Sequence, residues 1–497
     1  MQSVSPIDID RSLPIPRDAV AKQGALARLG AALFEPVDIA YLVFFRVVFG
    51  AIMLWECYRY FSTGWIHRYY IAPSFYFGYF GFEWVKPWPG NGMYVHFAVL
   101  AVAATCIMLG WLYRFATPVF FLGFTYVFLL DQTRYLNHFY LVCLISFLMI
   151  FLPANRALSL DAALWPSIRT QVAPAWTLWL MRFQVGIAYF YGGIAKLNSD
   201  WMIGGEPMRT WLRPLMTMPA IGAIFQKESV VYSFVYGGML LDLVVVPLLL
   251  WRRTRLIAFS AAIIFNLINA AIFNIGIFPW FMLGATLIFF PPELMRRFAR
   301  AFLTPGAALR EDTTQQSSIK PVATASLRGV LSRNQKIIIG LLAAYALVHL
   351  LVPLRHYLYP GNVSWTEEGH NFAWHMKLRT KRGEAIFTIT HPPTGQTWVI
   401  DPKDQLEARQ AMKMANKPDM ILLFAKHLAE QKRGEGYDNV EVRAQVTSSL
   451  NGRNPQVLID PNVDLAKQSR SLLPASWIVP LTTPLEVRGA QAQEVDE

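Results

Sequence analysis

A long apolar stretch of the chain ends in a lysine: Trp176-Thr-Leu-Trp-Leu-Met-Arg-Phe-Gln-Val-Gly-Ile-Ala-Tyr-Phe-Tyr-Gly-Gly-Ile-Ala-Lys196, followed by Leu-Asn-Ser-Asp-Trp201. A lysine at the end of a hydrophobic helix usually extends its side chain so that the amine reaches the lipid headgroups. If the side chain faces protein instead, burial disfavours the charged form, and a neutral amine can act as a base. The function of the chain therefore depends on which of these environments surrounds Lys196.

The composition is that of an integral membrane protein. Of the 497 residues, 54% are hydrophobic and 16% are charged, which is more apolar than a typical soluble domain. A helix needs about 20 apolar residues to cross a bilayer. We predict a polytopic α-helical membrane domain at residues 36–291 and a last membrane helix at 337–354. The nine predicted spans are 38–57, 94–112, 115–131, 137–153, 176–195, 230–250, 256–274, 277–291 and 337–354.

Basic residues predict the orientation of these spans. With nine spans, the segments rich in lysine and arginine all fall on one side of the membrane, which by the positive-inside rule is the cytoplasmic side. Residues 1–35 are then a cytoplasmic N-terminal segment, and residues 292–336, which are rich in polar residues and proline, are a cytoplasmic linker. The net charge of +12 is explained by attraction to anionic lipid and requires no nucleic-acid partner.

Residues 355–497 form a separate extracytoplasmic domain that ends in an acidic tail. Short runs rich in β-branched and aromatic residues predict strands at 371–379, 384–390, 396–401, 439–446 and 456–460. Two helices are predicted at 404–415 and 418–432. The sequence therefore predicts an α+β or β-rich domain, which is long enough to bury a core of its own.

The predicted topology places several polar residues on the outer side of the membrane, where Lys196 also lies. Ionisable residues in membrane helices are costly to bury and are functional candidates for that reason. Lys196 and His138 are two such candidates. Asn137, Tyr191, Trp201, Asn269 and Asn274 are polar or aromatic candidates in the same region. No pattern typical of a metal site, a phosphate-binding loop or a Ser/His/Asp arrangement is present, so we predict no metal.

Each candidate also has a structural interpretation. His138 begins a predicted helix, and local hydrogen bonding explains it as well as catalysis does. The asparagines near residue 266 are equally consistent with hydrogen bonds between membrane helices. Tyr191 and Trp201 fit a belt of aromatic residues at the membrane surface.

Several segments resemble the vitamin K-dependent gamma-glutamyl carboxylases. Asn137-His138-Phe-Tyr-Leu is similar to the Asn-His-x-Tyr-Leu segment of that family, and residues 188–201 resemble its Tyr-Phe-Tyr-x-Gly-Ile-x-Lys-Leu-x-x-Asp-Trp segment. Further similar segments follow in order at 273–279, 290–293, 362–365, 372–376, 459–464 and 476–481. The resemblance runs from about residue 36 to residue 481, and the ordered set of segments is more specific than any one of them.

The resemblance implies a reaction and roles for two residues. In that family, a lysine at the position of Lys196 deprotonates reduced vitamin K, the hydroquinone. Oxygen-dependent epoxidation then provides a base that removes the γ-proton of a protein glutamate, and the carbanion takes up carbon dioxide. His138 matches a family histidine that supports this proton chemistry, so the resemblance implies that Lys196 and His138 are catalytic. On this interpretation we predict that the cofactor is contacted by Asn137, Tyr191, Trp201, Asn269 and Asn274. The implied cofactor is menaquinol or phylloquinol with O2 and CO2 as co-substrates, and the implied partners are membrane lipid and a glutamate-containing protein or peptide.

The chain also departs from the family pattern. Asn266 stands where the family often has histidine, and Arg379 and Lys381 change the charge pattern after the Trp-x-Met segment. The extracytoplasmic domain lacks cysteines. The resulting lack of disulfides suggests a relative from a bacterial inner membrane. Two alternatives therefore stay open: a quinol epoxidase that does not carboxylate, and a non-catalytic membrane binding or scaffold protein with the same fold.

Overall fold

The computed structural model describes residues 25–273, 275–303 and 331–485. It consists of a helical bundle up to residue 358 and a sheet-containing domain after it, here called the soluble domain. The bundle helices are α1 (Ala25–Phe34), α2 (Ala40–Ser62), α3 (Trp65–Tyr70), α4 (Gly92–Leu109), α5 (Tyr113–Leu130), α6 (Asn137–Phe151), α7 (Leu160–Leu164), α8 (Ala175–Ile194), α9 (Ser199–Met202), α10 (Met208–Met216), α11 (Gly222–Phe225), α12 (Glu228–Leu250), α13 (Arg255–Phe273), α14 (Phe278–Thr286), α15 (Pro292–Leu303) and α16 (Arg333–Leu351).

Short elements complete the bundle. In the described part of the bundle, four 3-10 helices lie at Gln132–Arg134, Pro166–Ile168, Leu287–Phe289 and Val352–Leu358. Strand β1 (Pro36–Asp38) pairs antiparallel with β2 (Val172–Pro174), which joins the start of α2 to the start of α8.

Every predicted span coincides with a helix, because apolar backbone in a bilayer must satisfy its hydrogen bonds within the segment. Within the described residues, six helices are long and apolar enough to cross a membrane: α2, α4, α5, α12, α13 and α16 with its 3-10 continuation. The count of nine full spans is not confirmed. Helix α6 has 15 residues, or about 22 Å at 1.5 Å per residue, which is shorter than the hydrocarbon core of a bilayer.

The segment predicted as a linker begins with a helix. Helix α15 occupies Pro292–Leu303, and Arg296 on it donates to Asp38 at 2.8 Å. Basic and apolar residues alternate along this helix with a helical period, so it presents one face of each kind. Loop residues were predicted here because the charged residues were interpreted without regard to that period.

The soluble domain is an α+β unit, as predicted. Its antiparallel sheet has the strand order β4-β3-β5-β6, with β3 (Lys381–His391), β4 (Gln396–Ile400), β5 (Glu441–Leu450) and β6 (Gln456–Val457). Helices α17 (Val363–Thr366), α18 (Ala408–Met414) and α19 (Pro418–Gly434) and a 3-10 helix at Pro402–Asp404 complete it. Alternate β3 residues, including Phe387 and Ile389, are fully buried and pack with Phe424 of α19.

One predicted strand is wrong. Residues 371–379 are not a strand, and Phe372, Trp374 and Lys377 have the positive φ angles that strands exclude. Trp374 is buried, and its ring lies 5.1 Å from the ring of Tyr140 in α6. The segment follows the surface of the bundle instead of a neighbouring strand, so its conformation depends on contacts that are distant in sequence.

Buried charged groups fix the soluble domain on the bundle. The Arg453 guanidinium donates to both carboxylate oxygens of Asp200, each at 2.6 Å. Asn451 also donates to Asp200, at 2.8 Å, and accepts from the backbone N–H of Thr380 at 2.8 Å. Because Asp200 belongs to the bundle, this network positions the backbone around Thr380 over the helix ends.

Candidate functional site

Lys196 faces protein and not lipid. Its side chain is buried, with 6% of the residue surface exposed. The amine donates to the carbonyl of Gly192 at 2.9 Å and to Asp242 Oδ2 at 2.5 Å. The position of Lys196 just after the last residue of α8 explains the first contact, since the final carbonyls of a helix have no partner within it.

Two glycines allow α12 to approach the end of α8. A Cβ atom at Gly193 would lie 2.7 Å from the Leu243 side chain and 3.1 Å from the Leu243 backbone nitrogen. A Cβ at Gly192 would lie 3.5 Å from Asp242 Oδ2. The Gly192-Gly193 pair therefore brings Asp242 within reach of the lysine amine.

Asp242 is a functional candidate that the sequence analysis missed. It is buried, with 4% of its surface exposed, and a carboxylate at such depth requires a partner charge. The sequence does indicate that Asp242 is unusual, because it is the one charged residue between Glu228 and Arg252. The sequence does not show which cation pairs with it, since that depends on how α8 and α12 pack.

A cavity of about 400 Å³ opens beside the Lys196–Asp242 pair. Its wall is mostly apolar and comes from α12 and α13, with Gly237, Leu241 and Phe265 among the lining residues. Met208 and Trp211 of α10 line another side. The site thus combines an apolar chamber with a single buried ion pair at its edge.

The soluble domain closes one end of this cavity. Met376 and Lys377 line it, and the next residue, Leu378, packs in a buried cluster with Trp201 and Met208. We call residues 374–378 the roof segment. These residues adopt an irregular backbone because they pack against the cavity and do not pair with a strand of the sheet.

Two buried polar atoms at the cavity have unused hydrogen-bonding capacity. The Tyr189 hydroxyl and Asn266 Oδ1 form no hydrogen bond of normal distance and angle with the described residues, and the two side chains are near neighbours. Both residues line the cavity, as does Asn269. A ligand with oxygen atoms would satisfy these groups, which buried polar atoms normally require.

The predicted cofactor contacts divide between cavity and scaffold. Trp201 and Asn269 line the cavity, and the Trp201 ring centroid lies 5.5 Å from the Lys196 amine. Tyr191 donates instead to the Leu350 carbonyl at 2.6 Å, and so connects α8 to α16. Asn137 donates to the His375 carbonyl at 3.0 Å and holds the roof segment. Asn274 lies outside the described residues.

His138 is buried close to the cavity but is not part of its lining. Its ring centroid lies 5.7 Å from that of Phe278, and Phe278 lines the cavity. One aromatic side chain therefore separates His138 from the chamber that holds Lys196.

Arg379 and Lys381, two of the residues that depart from the family pattern, belong to a charge cluster in the soluble domain. Arg379 donates to Glu367 at 2.6 Å, and the Lys381 amine lies 3.9 Å from the same carboxylate. Burial alone raises the pKa of Glu367, but Arg379 and Lys381 outweigh that effect and hold it below its usual value. Burial lowers the pKa of Lys381 to about 7.

Comparison with known families agrees with this architecture. The family model described as the HTTM domain matches residues 34–294. The model described as the vitamin K-dependent gamma-carboxylase, lumenal domain, matches residues 334–484. The chain belongs to the vitamin K-dependent gamma-glutamyl carboxylase family. No solved structure was found to match it.

Family membership confirms the resemblance seen in the sequence. The helical bundle contains the HTTM domain, and the soluble domain lies within the match to the lumenal domain. The gamma-carboxylase family depends on reduced vitamin K, and its members carry an extracytoplasmic domain on an integral membrane part. In this member, the cavity lies between the HTTM part and the lumenal domain, since residues of both line it.

The residues present fit a quinol. A quinol has a flat apolar ring with two oxygens and an apolar tail, and pockets for such ligands are mostly apolar with a few placed polar groups. The cavity offers an apolar wall together with the Tyr189 hydroxyl and Asn266 Oδ1, which are otherwise unsatisfied. Lys196 and Asp242 supply the ionisable groups at its edge.

Proposed function

We propose that this protein carboxylates glutamate side chains of a protein or peptide, using reduced vitamin K, and that the Lys196–Asp242 pair accepts the quinol proton. The observation that carries the proposal is the burial of Lys196 beside a carboxylate at the wall of an apolar cavity. When bound, reduced vitamin K and oxygen would supply the driving force for removing a γ-proton, which is far too weakly acidic for a side chain to remove.

The pair is a better proton acceptor than a lysine alone. The ammonium and carboxylate lie 2.5 Å apart, which is close enough for a proton to pass between them. Asp242 takes up a proton that arrives at Lys196, so the lysine need not start as a free amine. A Lys196 ammonium at the cavity wall would stabilise negative charge on a bound quinol oxygen, and this effect is strong where water is excluded.

The other cavity residues hold the quinol. Tyr189, Asn266 and Asn269 would hold its oxygens by hydrogen bonds, and the apolar wall of α12 and α13 would hold its ring and tail. Trp201 packs over the Lys196 amine and keeps water from it. We assign His138 a supporting role, because Phe278 separates its ring from the chamber.

The orientation follows the positive-inside rule. We place Arg252 and Arg253, in the turn between α12 and α13, in the cytoplasm, and the soluble domain on the opposite side. In a bacterium this side is the outer face of the inner membrane. A glutamate substrate then reaches the cavity from the soluble domain, and the quinol reaches it from the bilayer.

Two alternatives remain: an epoxidase without carboxylase activity, and a non-catalytic scaffold. A buried ion pair adds little net stability compared with apolar side chains of similar size. A scaffold therefore gains little from Lys196 and Asp242, and their presence favours an enzyme. Whether carboxylation accompanies epoxidation depends on a glutamate reaching the cavity.

The test supplies purified protein with vitamin K hydroquinone, oxygen, labelled bicarbonate and a short glutamate peptide. The proposal predicts epoxide together with label in the peptide, both of which require Lys196. Epoxide without label would leave the epoxidase alternative. No epoxide, with Lys196→Ala behaving as the parent protein does, would contradict an enzymatic function.

A further inference from the structure

An arginine projects from α8 near the end of that helix that is remote from Lys196. Arg182 lies about two helical turns after the start of α8 at Ala175. Its Nε and Nη2 donate to the Ile288 carbonyl at 3.2 and 3.0 Å, and its Cζ lies 5.3 Å from the Trp179 ring centroid and 5.5 Å from that of Phe289. These contacts fix the guanidinium but leave its charge in place, and a charge inside a membrane bundle is costly without an anion.

Arg182 has no counterion in the part of the chain that the structure describes. No carboxylate there lies within salt-bridge distance of its guanidinium, and Nη1 donates to none of those residues. A second cation, Arg255 at the start of α13, is close enough to repel it. Arg255 is held by the carbonyls at the end of α12, since it donates to Leu249 at 2.8 Å and to Leu250 at 3.3 Å. Backbone contacts therefore keep the two cations together although their charges repel each other.

The turn between α12 and α13 adds two more arginines. Arg252 and Arg253 are exposed, and neither forms an ion pair with another described residue. By contrast, Arg296 of α15 pairs with Asp38 at 2.8 Å. The positive charge at the turn is thus left without an anion by the described residues. We call the four unpaired arginines the arginine cluster: Arg182, Arg252, Arg253 and Arg255.

Apolar side chains lie beside the arginine cluster and are open to the outside of the bundle. Leu256 and Ile257, in the first turn of α13, have 70% and 72% of their surface exposed. Trp179 and Trp251 are also exposed. Exposed leucine and isoleucine on a membrane helix contact acyl chains, and tryptophan is typical of the level of the lipid headgroups. The site therefore combines cations at headgroup level with an apolar surface next to them.

We infer that the arginine cluster binds the phosphate group of an anionic phospholipid, whose acyl chains lie along Leu256 and Ile257. Guanidinium groups bind phosphate oxygens through paired N–H donors, and basic sites between membrane helices are typical places for such headgroups. A free phosphate ion would use the cations alone and gain nothing from the exposed apolar side chains. Binding of this lipid involves no step of the reaction, so it is independent of the proposed function.

A lipid bound here would act on helices that carry the candidate site. Arg182 hydrogen-bonds to Ile288 in the 3-10 helix that follows α14, and Phe278 and Met282 of α14 line the cavity. A phosphate that pairs with Arg182 removes the cost of its unpaired charge and so stabilises the contact between α8 and this segment. We therefore expect the lipid to raise the midpoint of thermal unfolding.

The test adds lipid to the purified full chain in a neutral detergent and measures the midpoint of thermal unfolding. Phosphatidylglycerol should raise it by about 2 °C or more, as expected for a ligand that binds the folded state alone. Phosphatidylcholine with the same acyl chains, and inorganic phosphate alone, should each give less than about half of that rise. An equal rise with phosphatidylcholine would overturn the inference. An equal rise with inorganic phosphate would also contradict it, because the site would then take an ion and not a lipid.

Substitutions in the arginine cluster locate the binding. Arg252→Gln/Arg253→Gln removes two exposed charges that form no hydrogen bond or ion pair with described residues, so the midpoint without lipid should stay at the parent value. Arg182→Gln removes the cation on α8. In both variants the dissociation constant for phosphatidylglycerol, measured by native mass spectrometry, should rise about tenfold or more, the usual effect of losing a charge-assisted hydrogen bond.

The matched control removes the same number of charges from the soluble domain. Arg382→Gln/Arg433→Gln substitutes two exposed arginines there and should leave the dissociation constant for phosphatidylglycerol within about twofold of the parent value. An equal loss of affinity in this control would show general attraction between charges and not a site. Unchanged affinity in both variants of the arginine cluster would refute lipid binding at these residues.

Discussion

The Lys196 amine and the Asp242 carboxylate lie 2.5 Å apart, and both side chains are buried. This contact joins the end of α8 to the middle of α12 and forms part of the cavity wall. Neither residue is stable there as a lone charge, because an unpaired ion in an apolar bundle is costly. The pair therefore has to be considered as one group, in stability and in catalysis.

Asp242→Asn should impair catalysis while keeping the size of the side chain. The amide cannot take up the proton that passes through Lys196, so epoxide formation should fall by about 100-fold or more, the usual contribution of a general base. The measurement is the rate of epoxide formation at saturating quinol. A rate within a few-fold of the parent value would show that Lys196 acts without its carboxylate.

Gly193→Ala should separate α8 from α12. The added methyl group would lie 2.7 Å from the Leu243 side chain, and relieving such a clash in a packed interior costs about 1–3 kcal/mol. We expect a lower midpoint of thermal unfolding and a reduced rate of epoxide formation. Gly340→Ala is the control, because a Cβ there meets no atom within 4 Å. Equal effects of the two substitutions would contradict close packing at Gly193.

Asp200→Ala should loosen the soluble domain from the bundle. It leaves the buried Arg453 guanidinium without its carboxylate, which typically costs about 3–5 kcal/mol. Hydrogen–deuterium exchange of residues 374–381 should rise, since the network through Asn451 no longer holds Thr380. Glu441→Ala breaks the contact with the exposed Lys467 and should have little effect. Unchanged exchange in Asp200→Ala would refute the proposed anchoring.

The lowered pKa of Lys381 predicts that the free energy of unfolding depends on pH. Its pKa is lowered by burial from 10.5 to about 7 in the folded protein. Between these values the unfolded chain holds a proton that the folded chain has released, so this group stabilises the fold increasingly as pH rises above 7. Below pH 7 both states are protonated, and the folded state bears the full cost of the buried charge.

The comparison with Lys381→Met isolates this effect. The midpoint of thermal unfolding of the parent protein should rise relative to that of the variant between pH 6.5 and 8.5. The slope should approach about 1.4 kcal/mol per pH unit in the free energy of unfolding. Lys403→Met, at an exposed position, should show no such trend. A difference that is constant or falls with pH would contradict the lowered pKa.

Local patterns predicted the architecture well. The apolar stretches predicted each of the long bundle helices, because length and hydropathy alone decide whether backbone can be buried in lipid. Alternating β-branched residues predicted β3 and β5 in the soluble domain for a similar reason. The family resemblance then selected Lys196 from among many helix-end residues, and the structure shows it buried.

The parts that the sequence did not show depend on contacts between distant segments. Residues 371–379 have the composition of a strand, but their contacts with the bundle impose an irregular backbone. Tyr191 and Asn137 were predicted to contact the cofactor, and they hydrogen-bond to the backbone of Leu350 and His375. The direction in which such a side chain points is set by helix packing, which a single sequence does not show.

The central claim is that the Lys196–Asp242 pair is present for chemistry and not for stability. The double variant Lys196→Met/Asp242→Leu replaces both charges with apolar side chains of similar size, which is neutral or stabilising in other buried ion pairs. We predict that it keeps the parent's midpoint of thermal unfolding and forms no epoxide from vitamin K hydroquinone and oxygen. Epoxide formation by the double variant at the parent's rate would contradict the claim.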